Sequence, residues 1–595
     1  MDKLCKKVDV QAVDEHRRNA LFSSVYHRAN EATQLLCNLS CDTNRQDVRG
    51  TAPIHVAAFN GDDLNLSVLL ASGADVNVVA SGGRCPLLAL CEGTSDAAGM
   101  NETRTLMMAR LLEAGAAADG SQQAPCRPMQ CVLLYNDAAE AVQLLINKGA
   151  DKDATDENGN TALHYAAAAG RIASMEVLIA AEANLEVANA NGKMPLHVAV
   201  EAGDDRVIEA MTHSHRFDAC VNKADRTGHT PLHLAVMHDR PAIVKLLLSA
   251  KASPDVRDLR DRTPVYMAAF GGHVECLKEL LQANAPLSMK DNQGRAALHV
   301  AAYARRVSCI EAIARKDPAL LLSVDAAGMT PLHIAAVRGD ADGCAVILAA
   351  AADPPALLGA RDHEGRMAVH LASSHAHAEC LERLVEADKG GCANATMNNG
   401  RTPLQLAALS GAAECVAVLL DHGVAVDAVD PDGKTALWLA AANGNPECTA
   451  LLLDEGAMTE KTDFKGRSAV YIAAAHGHVQ TLSLLASHKE GMLDTRDHHG
   501  LTPLHAAAAA GYAPCCLFLL QNGSNIHAGD DKGRTPLHAA AYAGQTLCAI
   551  TIVRMGGSAD MLDKSDRTPV TAAVSAEHRD CARAIEEEAR RALEA

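Results

Sequence analysis

Nine histidines, His55, His164, His197, His233, His299, His333, His370, His505 and His538, fall in one column of a recurring pattern. Imidazoles in such number suggest a metal set. Their spacing argues otherwise. If each rides on its own structural unit, neighbouring rings stand about 10 Å apart, whereas zinc needs its ligand atoms at about 2 Å. Tyr266, Trp438 and Tyr471 fill the same column, which suits bracing better than ligation. A second column holds Cys276, Cys309, Cys380, Cys415, Cys448, Cys515, Cys548 and Cys581. A disulfide needs Cα atoms within about 7 Å, so these read as small buried hydrophobes. The local pairs His375/His377 and His498/His499 read as solvated loop residues, and Cys37/Cys41, Cys126/Cys131 and Cys515/Cys516 do not match a zinc pair of pairs, with a redox role left open for Cys37 and Cys41.

Two strings imitate phosphate or calcium loops. Asp432-Gly433-Lys434-Thr435 ends like a P-loop, but Ala428 stands where the first glycine belongs and no strand precedes it. Asp430-Pro431-Asp432-Gly433 lacks the later ligands of a calcium loop. No metalloprotease, kinase or hydrolase signature is present. The expectation is no catalytic residue, no metal and no cofactor.

Composition narrows the partners. A chain of 595 residues exceeds a single core. Aromatic residues are only 3%, with one tryptophan, so the interior is built from Ala, Leu, Val and Cys. A net charge of -19 argues against nucleic acid and anionic lipid, which need a basic footprint. The start, MDKLCKKVDVQAVDEHRRNA, has no signal-peptide core, and no stretch approaches a membrane span. Nineteen cysteines then imply free thiols in a reducing compartment. A cytoplasmic monomer is expected, with the nucleus left open.

The elements that position these residues emerge from a repeat. Thr-Pro-Leu-His occurs at 230–233, 330–333, 502–505 and 535–538, with looser copies between. Taking the Pro, or the Ala replacing it, as marker gives Pro53, Pro86, Pro128, Ala162, Pro195, Pro231, Pro264, Ala297, Pro331, Ala368, Pro403, Ala436, Ala469, Pro503, Pro536 and Pro569. The steps are 33, 42, 34, 33, 36, 33, 33, 34, 37, 35, 33, 33, 34, 33 and 33, too regular for chance. One step of 33 back from Pro53 reaches Ala20, in a degenerate first unit. Each unit reads as a turn and two short helices. In one, Asp225-Arg226-Thr227-Gly228 turns the chain, Thr230 caps a helix and Pro231 opens it. Leu232 and Ala235 share a face, and Ile243, Leu246 and Leu247 line the second helix.

Period and signature together resemble the ankyrin repeat over roughly residues 20 to 595. The resemblance implies an all-α solenoid of about 16–17 helix–turn–helix units, joined by short β-hairpin-like finger turns into a curved superhelical rod. It also implies that each column histidine braces its own turn. The expected organisation is an N-terminal segment with a degenerate capping repeat over 1–50, the array over 51–567, and a C-terminal capping repeat with a polar helix over 568–595. The second repeat carries an insertion near 92–103, and smaller additions fall at 212–218, 352–358 and 389–395.

By family geometry, residues six and seven after the marker face a concave groove. Most are small. The exceptions are Phe59, with Asn60 beside it, His238, Phe270, Tyr303, Arg338, His375, His476 and Tyr542, with Phe270, Tyr303 and Arg338 in three successive units. Aromatic residues and Arg suit interface centres. Asn77, Asn222 and Asn394 share a hairpin column in which the family can be hydroxylated. The implied function is a non-enzymatic scaffold or adaptor that binds other proteins. Alternatives are a regulatory or targeting subunit of a phosphatase or ubiquitin ligase complex, or an enzyme with an unrecognised site.

Overall fold

Thr230 stands in extended backbone (φ −81, ψ 166), and its Oγ1 accepts the N–H of His233 at 3.4 Å. That bond satisfies one of the donors every helix start leaves unpaired. The same arrangement recurs along the computed structural model, which describes residues 10–93, 102–135, 137–389, 391–489 and 491–594. All sixteen markers open a helix, from Pro53–Asn60 to Pro569–Ser575, and so does the degenerate unit, as Ala20–Tyr26. Each is followed by a second helix, giving seventeen pairs among the described residues. The fold is an all-α solenoid of helix–turn–helix repeats. Its one β feature among the described residues is an isolated antiparallel bridge between Thr462 and Ser468, in a finger turn.

The chain divides into two compact bodies, residues 1–292 and 293–595. The first stacks eight pairs, from Ala20–Tyr26 with Asn30–Asn38 to Pro264–Gly271 with Val274–Gln282. The second stacks nine, from Ala297–Tyr303 with Val307–Lys316 to Pro569–Ser575 with Arg579–Glu594. The division falls inside the 51–567 array, at a finger turn the period does not distinguish.

Small residues let first helices approach closely. Pro503–Ala510 meets Pro536–Tyr542 through Ala507, Ala508, Ala540 and Ala541, all fully buried. Leu232 and Ala235 are buried as expected. The second-helix stripe needs correction: Ile243, Val244 and Leu247 are buried, while Leu246 is only half-buried. These helices are covered on two sides, so the apolar face is wider than one row of positions.

The smaller additions are each anchored by a buried side chain. The stretch at 212–218 leads into helix Phe217–Cys220, that at 352–358 contains Pro354–Leu358, and that at 389–395 contains a 3-10 turn, Gly391–Asn394. Each buries an apolar side chain: Phe217, Leu357 or Cys392. In the second repeat, Pro86–Glu92 holds Glu92, and Glu102–Glu113 takes Glu102 and Thr103. The rest of that insertion, 94–101, lies outside the described residues.

Candidate protein-docking surface

The column histidines act between repeats. His233 Nε2 lies 3.1 Å from the carbonyl oxygen of Arg262, in the next finger turn, and Nδ1 lies 3.3 Å from the Thr230 nitrogen. A carbonyl only accepts, so Nε2 carries the proton and Nδ1 accepts the Thr230 N–H. The expectation that each histidine braces its own turn holds at Nδ1, and Nε2 adds a tie from that helix start to the following finger. His55, His164, His197, His333, His505 and His538 repeat the forward bond at 2.8–3.2 Å. Substitutes do the same work. Gln130 and Gln405 donate to Asn160 and Lys434 carbonyls, and the Trp438 indole N–H to Arg467. Burial depresses these imidazoles, His233 and His370 to about 4.

Most of the described fingers are closed by an aspartate, with Asn189 taking that place in one. Asp258 Oδ1 accepts the N–H groups of Arg260 and Arg262 at 2.8 and 2.9 Å, while Oδ2 pairs with the Arg262 guanidinium at 2.6 Å. Burial works to raise the Asp258 carboxyl, but Arg262 and the two N–H groups outweigh it and hold it below its ordinary value. Asp362, Asp530 and Asp563 repeat the pattern. Gly228 supplies φ +84 in such a turn, where a Cβ would come within 2.6 Å of the Leu259 nitrogen.

The cysteine column is buried, and burial pushes Cys276 and Cys415 up to about 12. The spacing argument held only within that column. Cys344 and Cys516 sit one position later in their repeats and hydrogen-bond Cys380 and Cys548 on the neighbouring second helices. Those bonds, with burial, hold Cys344 and Cys516 well above an ordinary thiol. Among the described residues, no group of three or more His, Cys, Asp or Glu side chains could hold a metal ion. No described helix is long and apolar enough to cross a membrane.

All eight groove residues named from the sequence are exposed. In the first body, Phe59 is 43% exposed and lines a cavity of about 970 Å³ with Asn60, Phe22 and Tyr26. Arg18, Arg49 and Arg84 edge it. His238 follows the helix Pro231–Met237, and Phe270, 51% exposed, lies near the end of Pro264–Gly271. In the second body, the Arg338 guanidinium stacks 4.8 Å from the Tyr303 ring centre and donates through Nε to the Tyr303 carbonyl at 3.2 Å. The expected trio is therefore divided, with Phe270 in the first body and the stacked Tyr303–Arg338 pair in the second. His375 stacks on His377. His476 and Tyr542 share a cavity of about 470 Å³, floored by Ala506, Ala509 and Ala510 and walled by Arg467 and Arg534. Tyr26 went unnamed from the sequence, although it sits six residues after Ala20 and so in the groove column. The finger arginines were missed because the groove was read from its floor alone.

The three column asparagines are exposed bridges. Asn77 donates to the Gly115 carbonyl at 2.9 Å and accepts the Ala117 N–H at 2.8 Å. Asn222 accepts from Ser253, and Asn394 from Ala425.

A family model described as ankyrin repeats in three copies matches residues 101–189, 128–223, 184–258, 251–320, 369–463, 457–530 and 518–590, and a single ankyrin repeat matches 327–357. The chain belongs to the ankyrin-repeat family. The array is similar to the B-cell lymphoma 3 protein homolog of Mus musculus, 36% identical over 103 residues, which are 17% of this chain and 22% of that protein. It is 35% identical over 231 residues to the transient receptor potential cation channel subfamily A member 1 of Drosophila melanogaster, covering 36% of this chain and 18% of the channel. The ankyrin repeat protein YahD of Escherichia coli is 27% identical over 186 residues, covering 29% of this chain and 85% of YahD. The array thus spans about a fifth of the mouse and fly relatives. Among solved structures, the ankyrin repeat domain of Bcl-3 covers 37% of this chain and 100% of its own, at 28% identity and a TM-score of 0.33.

Proposed function

We propose that this ankyrin-repeat protein is a non-enzymatic scaffold or adaptor that holds partner proteins non-covalently in its groove and along its fingers, in the cytoplasm. The supporting observation is that large side chains of the groove column, Phe59, Phe270, Tyr303, Arg338 and Tyr542 among them, stand in solvent. Rings left exposed on a scaffold this poor in them are suited to a second surface. No cofactor enters this reading. Affinity capture with the full chain tests it. Phe270→Ala and Tyr303→Ala lose partners that the parent retains, with an unchanged thermal melt. Full retention of every partner by variants at all five positions refutes the reading.

A further inference from the structure

The helix Pro128–Tyr135 begins unlike its neighbours. Arg127 caps it: its carbonyl accepts the Cys131 N–H at 2.9 Å, and its own N–H donates to the Gln130 side chain at 2.8 Å. The residue before a cap and the fourth residue of the helix stand side by side, where many helices place an apolar pair. Here they are Cys126 and Cys131. Ten of the sixteen marked repeats carry Arg or Lys at the first of these positions, and cysteine occurs nowhere else in either column. The finger of this repeat also lacks the usual clasp. Gln122, exposed, stands where an aspartate closes most fingers, and the Arg127 guanidinium reaches the Ser121 carbonyl at 3.2 Å instead.

The two sulfurs differ in setting. Cys131 is 3% exposed, while Cys126 is half-buried and, with Cys37, one of two described cysteines that are not buried. The Cys131 S–H donates to the Cys126 sulfur, and this bond holds the Cys126 thiol below its ordinary value against burial and the Asp156 carboxylate. The Cys126 S–H in turn donates to the Arg127 carbonyl at 3.5 Å. An accessible sulfur that ionises readily is the reactive kind, and sealed thiols are inert. The other thiol pairs, Cys344–Cys380 and Cys516–Cys548, are sealed, with no member more than 1% exposed.

We propose that Cys126 and Cys131 are a redox-sensitive pair, which a hydroperoxide converts to a disulfide that pins the finger 121–127 to its helix. The Cys126 sulfur gives up its proton and attacks the peroxide. An S–O bond forms, the O–O bond breaks, and the leaving hydroxide takes a proton to become water, so Cys126 is a sulfenic acid. The Cys131 sulfur then attacks the Cys126 sulfur. The S–S bond forms, the S–O bond breaks, and the hydroxide leaves as water with the Cys131 proton. With hydrogen peroxide, two thiols surrender two electrons and two protons, and two waters result. Closing from hydrogen-bond contact to the about 2 Å of an S–S bond asks for a shift of Cys126, which lies in the loop and not in the helix. The pair stands apart from the groove and does not depend on the scaffold reading.

The test treats the reduced full chain with hydrogen peroxide, alkylates the remaining thiols with N-ethylmaleimide and maps tryptic peptides by mass spectrometry. Trypsin spares Arg127 because Pro128 follows it, so both sulfurs stay in peptide 111–148. That peptide loses two hydrogens and both alkylation sites at least about tenfold faster than any other cysteine between residues 37 and 581 is oxidised, and dithiothreitol restores it. Cys131→Ser stops at the sulfenic acid, which dimedone labels at Cys126, and Cys126→Ser leaves Cys131 reduced. In the oxidised chain, hydrogen exchange slows across residues 121–127 and is unchanged in the second body. Unfolding in urea removes the preference, which separates the folded contact from closeness in sequence. Faster oxidation of Cys37 or of a sealed pair overturns the proposal. So does an equal preference in urea, an unlabelled Cys126 in the Cys131→Ser chain, or unchanged exchange in the finger.

Discussion

The groove stretch at the start of the first body and the one near the end of the second are made by the same backbone and differ in almost every side chain that matters. At Ala20–Tyr26 and Pro53–Asn60 the surface is ringed by Phe22, Tyr26 and Phe59. At Pro503–Ala510 it is bare alanine, with His476 and Tyr542 at its edges. The supporting bonds differ too. His505 ties its helix start to the next finger, whereas Phe22 occupies the equivalent position in the first repeat and Asn19 makes no side-chain cap bond. Stability and recognition are therefore set by different positions of the repeat, and each can change while the backbone stays the same.

The largest way to break this comparison is Phe22→Ala. Phe22 is 5% exposed, and removing a buried ring costs about 3–5 kcal/mol. The loss should fall on the first repeat, so hydrogen exchange should accelerate across residues 20–38 and stay unchanged in the second body. Next comes His505→Ala, which strands the Arg534 carbonyl and the Thr502 N–H and costs about 1–3 kcal/mol by urea denaturation. His505→Gln should recover most of it, because Gln405 already makes the same bonds in its own repeat.

Acid sharpens the contrast between the two kinds of repeat. The tying histidines are depressed by burial, to about 4 at His233 and His370, and a base whose folded value lies below its unfolded value of about 6.5 takes up protons more readily when unfolded. Their contribution is complete above about pH 6.5 and is lost as pH falls toward 4. The finger aspartates, held low, fail only below the ordinary carboxylate range. The urea midpoint should thus fall between pH 6.5 and 4, and His505→Gln should flatten that slope. The smallest effect on stability is expected from Tyr542→Ala. At 56% exposure it should change stability by less than about 0.5 kcal/mol, while affinity capture loses partners different from those lost by Phe59→Ala.

Much of the fold was legible because one message is repeated. A capping Thr or Ser, a Pro or Ala at the first helical position and a turn Gly each have a local physical cause, and the period extended the reading to repeats whose cap position, such as Ala52, Met194 or Ala296, has no hydroxyl. What stayed hidden depends on neighbours in space. The pattern places His233 in a column but not its Nε2 on the Arg262 carbonyl. It separates Cys344 from Cys380 by repeat, yet adjacent second helices bring them together. Leu246 fitted the helical template as well as Val244, and only the packing on both sides chooses. The groove column was found in sequence, while the finger arginines beside it, Arg467 and Arg534 on their aspartates, required the fingers to be folded first.

The histidine ties all point the same way along the chain, from one repeat to the finger of the next. Trimming the array is therefore not equivalent at its two ends. Removing repeats from the amino-terminal side frees carbonyls such as that of Arg84, which water can accommodate at a new surface. Cutting ahead of Arg567 takes from the His538 ring, 1% exposed in the intact stack, the carbonyl that fixes its Nε2–H. Shortened versions that keep the final repeat should hold together better than equally long ones that lack it.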